Sequence, residues 1–161
     1  MRTLLIILSL FITSFVGRCV EPQADNTLRF YVVSEEPITG GRYVDTPECP
    51  RVGYITNAPS LVITRLQSVS TNASHVVHGD SAPEQIKTDV LIQMFQPDAK
   101  RFADLTRQNI GRRLLISLGD RPLMAPVVQA PIESGNIQIS LGEGKDAREI
   151  AAILKRFVRH E

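Results

Sequence analysis

The hydrophobic and polar positions from Thr88 to Ser140 carry the pattern that the rest of the chain frames. It opens with TDVLIQMF, where Val90, Ile92 and Met94 alternate with Leu91, Gln93 and Phe95. That run predicts a strand covered largely on both faces. Gln96-Pro97-Asp98 then punctuates the chain. Proline suits the first turn of a helix, where its missing N–H is not needed, and Asp98 brings negative charge to the positive end of the dipole. Ala99, Phe102, Ala103, Thr106 and Ile110 recur at helical spacing, with Leu105 at the edge of that face. Gly111 predicts the helix end. Leu114, Ile116 and Leu118 restart a period of two, and Gly119-Asp120 is a two-residue hairpin turn. Residues 123–128 form the returning strand. Pro131 and Ser134-Gly135 mark another turn before Ile137, Ile139 and Leu141 alternate again.

A last helix is predicted by the apolar stripe Ala147, Ile150, Ala151, Leu154, Phe157 and Val158. Asp146 and Glu149 near its start and Lys155, Arg156 and Arg159 near its end suit the dipole. A membrane-surface helix is the rival use of such a stripe. Packing is preferred, because one face of the preceding strands needs a cover. The expected fold class is α+β: a mixed or antiparallel sheet with two helices packed on one face, in the order strand, helix, three-strand meander, helix.

Upstream, Leu28, Phe30 and Val32 alternate with Arg29, Tyr31 and Val33, which predicts another strand. Residues 34–50 hold Glu35, Glu36, Asp45 and Glu48, the Gly40-Gly41 pair and Pro37, Pro47 and Pro50, and read as a loop. Leu61, Val62, Ile63, Leu66 and Val69 supply a further strand. Residues 70–84 are polar and read as a long loop, the kind that is either mobile or functional. The expected division is a signal peptide over residues 1–19, an N-terminal strand and Pro/Gly-rich loop over 20–59, and an α/β domain over 60–161.

The leader rests on Met1-Arg2 followed by TLLIILSLFITSFVG. A positive head and an apolar run shorter than the about 20 residues needed to span a bilayer have the shape of a secretory signal. Gly17 and Cys19 place cleavage near Val20. Lipid attachment at Cys19 is the rival reading, and Arg18 speaks against it, since such sites want a small residue before the cysteine. If Cys19 leaves with the signal, Cys49 stands as a loop cysteine without a role, the preferred reading. If both stay, a Cys19–Cys49 bridge is the alternative.

The stretch FQPDAKRFADLTRQNIGRRLLISLGDRPLMAPVVQAPIESGNIQIS resembles the first periplasmic head subdomain of the SecD and SecDF protein-export accessory subunits. In that family a strand ending in Phe leads to a helix carrying F-x-x-L-T-x-x-N-x-G. A basic pair, a hydrophobic strand, a turn, a strand ending in Ala-Pro and an I-x-x-G turn follow. The matching positions are Phe95, Phe102, Leu105, Thr106, Asn109, Gly111, Arg112, Arg113, Leu118, Ala125, Pro126, Ile132, Gly135 and Ile139. The family's turn is usually Asp-Gly where this chain has Gly119-Asp120, and both orders can close a hairpin. The resemblance covers about the last 70 residues and is loose before Ser60. It implies a head that touches emerging preprotein and moves, driven in full-length SecD by protons crossing a membrane portion. No transmembrane bundle follows the leader, so the expectation is a head without a proton relay.

Charge and chemistry narrow the picture. The 161 residues carry 18 basic and 17 acidic side chains, and losing Arg2 and Arg18 takes the formal charge from +1 to −1. Such a balance, with no Trp and no basic run, points away from nucleic acid. His75, His78 and Asp80, with Asp89 further on, contain zinc-type donors. Their spacing in a loop does not gather them, so no metal and no cofactor is expected. No G-x-S-x-G elbow or C-x-x-C pair supports catalysis. Gly142-Glu143-Gly144-Lys145 lacks the phosphate-loop spacing and the Ser or Thr after the lysine. Asn72-Ala73-Ser74 is a glycosylation sequon without meaning in a bacterial host. The expectation is an exported, non-enzymatic module of the periplasm or envelope that binds polypeptide or an envelope protein, with no catalytic residue and no binding residue named by the sequence. The alternative is an envelope domain that retains the scaffold for structural, small-ligand or metal-binding purposes.

Overall fold

A computed structural model describes residues 27–47, 49–76, 85–141 and 145–158. The elements run β1 (Leu28–Val32), β2 (Arg42–Val44), β3 (Gly53–Ile55), β4 (Leu61–Ile63), β5 (Ser68–Val76) and β6 (Gln85–Gln93). They continue with α1 (Gln96–Gln108), β7 (Leu114–Leu118), β8 (Arg121–Met124), β9 (Asn136–Leu141) and α2 (Lys145–Lys155). Three sheets are formed among the described residues, in the strand orders β4-β1-β7-β8, β2-β3 and β5-β6-β9. Every strand pairing in them is antiparallel. The fold class is α+β, as the pattern predicts.

One apolar core joins the two larger sheets and both helices. Phe30 of β1 and Phe102 of α1 are fully buried, with ring centroids 5.0 Å apart. Val90, Ile92 and Ile139 of the three-stranded sheet and Ile150 and Leu154 of α2 belong to the same cluster. Full burial of each such side chain is worth about 1.5–3 kcal/mol. β1 and β4, on either side of the division expected at residue 60, are hydrogen-bonded neighbours, with Leu28 opposite Ile63.

The meander is where pairing departs from expectation. β7 and β8 form the predicted hairpin, but β9 pairs with β6 and not with β8. Register supplies the reason. Ile137 lies opposite Ile92 and Ile139 opposite Val90, so both strands present one apolar face to the core. β8 is an edge strand, which is where the ladder tolerates Pro122, and the ladder ends at Met124, shortly before Pro126. Nor is β6 covered on both faces. Its sheet has a single buried side, and Leu91 is 45% exposed.

Residues 70–84 are not simply a loop. β5 runs to Val76 and pairs along its length with β6, from Ser68 opposite Gln93 to Val76 opposite Gln85. Its polar sequence hides it, because backbone pairing and a half-buried Val69 carry a strand with little apolar content. The stretch 34–50 likewise holds β2, and with β3 it closes a second small core of Tyr31, Val33, Val44, Cys49, Val52, Ile55 and Leu115. Cys49 is 5% exposed and packs there, so it contributes apolar burial and is not a bystander in a loop. Gly53, at φ +126, lets this lobe close: a Cβ there would meet the Ser34 carbonyl oxygen at 2.7 Å.

Both helices follow their apolar stripes, with different ends. α1 stops at Gln108, where the Asn109 side chain donates to the Leu105 carbonyl at 2.8 Å. Ile110 is past the helix and 52% exposed, not on its buried face. α2 buries Ala147, Ile150, Ala151 and Leu154, followed by Phe157. The Phe157 carbonyl accepts from the Leu66 N–H at 3.1 Å, tying the end of α2 to the start of β5.

Candidate functional site

A concavity opens between β9, the end of β8 and the segment that follows it. Beyond Met124 the chain leaves the ladder, crosses alongside α1 and returns at Gly135. Leu114 donates to the Pro126 carbonyl and Val128 to the Arg112 carbonyl, both at 2.9 Å, holding the first part of this crossing against the base of β7. Thr106 of α1, fully buried, holds the second part, because its Oγ1 accepts from the Ile132 N–H at 3.0 Å. That hydroxyl in turn faces the Phe102 and Ala103 carbonyls at 2.9 and 3.0 Å. Gly135 (φ +66) closes against Ala99, where a Cβ would collide.

The result is an open groove of about 390 Å³, within the range of about 300–1,000 Å³ usual for ligand sites. Phe102, Leu114 and Ile116 line its inner part, Met124, Val127 and Ile132 one wall, and Asn136, Ile137 and Gln138 the other. No charged side chain lines it. Charge lies beyond it: Arg107 at the end of α1 donates to Glu133 at 3.1 Å and Asp104 at 2.6 Å. Those hydrogen bonds, to Glu133 first, hold its guanidinium pKa above the ordinary arginine value. A smaller recess of about 240 Å³ sits on the open face of the other sheet, lined by Ser68, Ser70, Leu91 and Gln93 among others.

The residues singled out as possible metal donors are not gathered in what the structure describes. His75 lies in β5 opposite Ile86, and Asp89 lies opposite Asn72. Three rungs of strand separate the two positions, about 10 Å. The Asp89 carboxylate accepts from Ser140 Oγ at 2.6 Å. His78 and Asp80 fall outside the described residues, as do residues 1–26, with Cys19 and the expected leader, and Gly142-Glu143-Gly144. Among the described residues no group of three His, Cys, Asp or Glu side chains could hold a metal ion. No described helix is long and apolar enough to cross a membrane.

The family model described as SecDF, P1 head subdomain matches residues 54–156. The chain belongs to the SecDF P1 head family. It is 40% identical over 76 residues to the protein translocase subunit SecD of Acidaminococcus fermentans, covering 47% of this chain and 18% of that protein. To the protein translocase subunit SecDF of Thermus thermophilus it is 44% identical over 63 residues, covering 38% and 9%. The chain therefore spans less than a fifth of either relative. The solved structure reported as "Structure and function of a membrane component SecDF that enhances protein export" matches its fold over 82% of this chain and 63% of the other. The TM-score is 0.54 at 24% identity. The SecDF crystal structure in the super-membrane-facing form matches over 82% of this chain and 19% of the other, with a TM-score of 0.53 at 25% identity.

Some of the fourteen positions that carry the family pattern bear on the groove. Thr106 and Gly135 hold the crossing in place, while Arg113 reaches the other way, donating to the Arg51, Val52 and Ala125 carbonyls. Four of them, Phe102, Thr106, Pro126 and Ile132, also line it. The sequence names no binding residue. Its one signal is Pro126 and Pro131 on either side of Val127, because two prolines so close interrupt a continuous strand.

Proposed function

We propose that this P1 head is an exported, non-enzymatic module that binds unfolded polypeptide through the groove between β8 and β9. The observation that carries the reading is the groove itself: open, apolar and without a charged side chain along its lining. Segments of unfolded protein offer apolar side chains on a neutral backbone, which is the chemistry such a lining accepts. Membership of the SecDF P1 head family supports a place in protein export. Two relatives in sequence are protein translocase subunits, SecD and SecDF, which points the same way. The secretory leader expected over residues 1–19 would direct the chain to the periplasm or cell envelope.

The test is direct. A fluorescein-labelled, uncharged apolar peptide should raise anisotropy on titration with the purified chain. Val127→Asp, at a 44% exposed position on the groove wall, should weaken that binding by at least roughly tenfold, about 1.4 kcal/mol. The fold should survive, since the site is open to water. Equal affinity of the variant and the parent would move the binding surface elsewhere.

A further inference from the structure

Among the described residues, β9 is paired along one edge only. The Met94 N–H donates to the Gly135 carbonyl at 3.0 Å, in register with the β6–β9 ladder. In an antiparallel pair, directly opposed residues alternate between exchanging both hydrogen bonds and exchanging none. That fixes Ile137, Ile139 and Leu141 as the residues bonded to β6. The N–H and C=O groups of Asn136, Gln138 and Ser140 therefore point away from it. Ser134 Oγ accepts the Asn136 N–H at 3.2 Å. Among the described residues, Gln138 and Ser140 have no backbone partner on that side.

An open strand edge is a template for another extended chain, and this one borders the groove, since Asn136, Ile137 and Gln138 form its wall. The opposite wall has a matching property. Val127 sits in an isolated bridge with Arg113, flanked by the bonds from Leu114 to Pro126 and from Val128 to Arg112. It is thus at a position that exchanges no bonds, and its own N–H and C=O turn away from β7. An occupant seated here meets unpaired backbone, an apolar interior and no charge.

We infer that an extended, uncharged polypeptide segment pairs with the outer edge of β9 and adds a fourth strand to the β5-β6-β9 sheet. This rests on the groove reading above and specifies how the substrate is held. Backbone hydrogen bonds supply the affinity, and alternate side chains of the added strand enter the groove. Recognition through the main chain tolerates many sequences, as a module that meets unrelated polypeptides requires.

The test uses a fluorescein-labelled peptide of alternating valine and threonine in three forms: unmodified, N-methylated on the valine amides, and N-methylated on the threonine amides. Methylation removes donors from one edge and leaves the side chains unchanged. The unmodified peptide should bind the parent chain, and at least one methylated form should bind roughly tenfold more weakly, the scale of one or two lost hydrogen bonds. On the protein side, Gln138→Pro deletes an outward N–H without touching the ladder to β6. It should weaken binding similarly where Gln138→Ala does not. If Gln138→Pro fails to fold, the methylated peptides on the parent chain decide alone. Binding of both methylated forms at the unmodified level overturns edge pairing and leaves the groove reading standing. Failure of the unmodified peptide to bind overturns both.

Discussion

The Ile132 N–H donates to Thr106 Oγ1 at 3.0 Å, joining the crossing segment to a hydroxyl fully buried in α1. This bond sets the position of one groove wall. Thr106→Val preserves shape and nearly preserves helix propensity, but strands the Ile132 amide. The expected cost is about 1–3 kcal/mol in urea unfolding, with weaker peptide binding. Thr106→Ser keeps the acceptor and should recover most of both.

Leu154 and Leu91 give a matched pair of substitutions. Leu154 in α2 is 0% exposed and Leu91 in β6 is 45% exposed. Leu154→Ala should cost about 2–5 kcal/mol, whereas Leu91→Ala should stay within the about ±0.5 kcal/mol of surface changes. Chemical denaturation of both variants checks the assignment. A large loss at Leu91 would mean that the outer face of the three-stranded sheet is covered.

What the sequence made legible follows from where burial is one-sided and strong. The stripes of α1 and α2, the β7–β8 hairpin and the strand containing Phe30 are readable because apolar side chains repeat at the period of the element. β5 is not, since SVSTNASHV has too little apolar contrast and depends on backbone pairing with β6. The partner of β9 is equally hidden. Chain order favours β8, and only the packed core reveals that Ile137 and Ile139 belong beside Ile92 and Val90. The groove arises from this mismatch between neighbours in sequence and neighbours in space, so the sequence marks it only indirectly, through Pro126 and Pro131 on either side of Val127.

Processing is tested by mass spectrometry of the exported product. The mature chain is expected to begin close to Val20 and to stay out of a detergent phase. Diacylglycerol on Cys19, or retention of residues 1–17, would contradict that and make the protein an anchored one.

Arg113 fastens the small lobe to the four-stranded sheet. Its Nη1 donates to the Arg51 and Val52 carbonyls at 3.1 and 3.2 Å, and its Nε to Ala125 at 3.3 Å. Arg113→Ala removes these charge-assisted bonds at a cost of about 1.5–3 kcal/mol. Hydrogen exchange should locate the damage, with faster exchange of the β2–β3 amides and little change in α2. Uniform acceleration throughout the chain would instead make the lobe part of the global folding unit.

The histidines lead to an expected lack of effect. A structural zinc site takes four fixed ligands, with further groups orienting each imidazole. His75 stands in β5 three rungs from the Asp89 position, and the Asp89 carboxylate already accepts from Ser140 at 2.6 Å. His78 and Asp80 follow in a polar stretch rich in Gly, Ser and Asp, a composition that does little to fix a donor in place. Two ring nitrogens without a fixed third and fourth ligand bind zinc weakly. The double variant with His75→Ala and His78→Ala should therefore leave thermal stability and peptide binding unchanged. Titration calorimetry with zinc on the purified chain is the deciding measurement. A stoichiometric, submicromolar affinity that vanishes in the double variant would shift the functional centre from the groove to the far end of the β5–β6 hairpin.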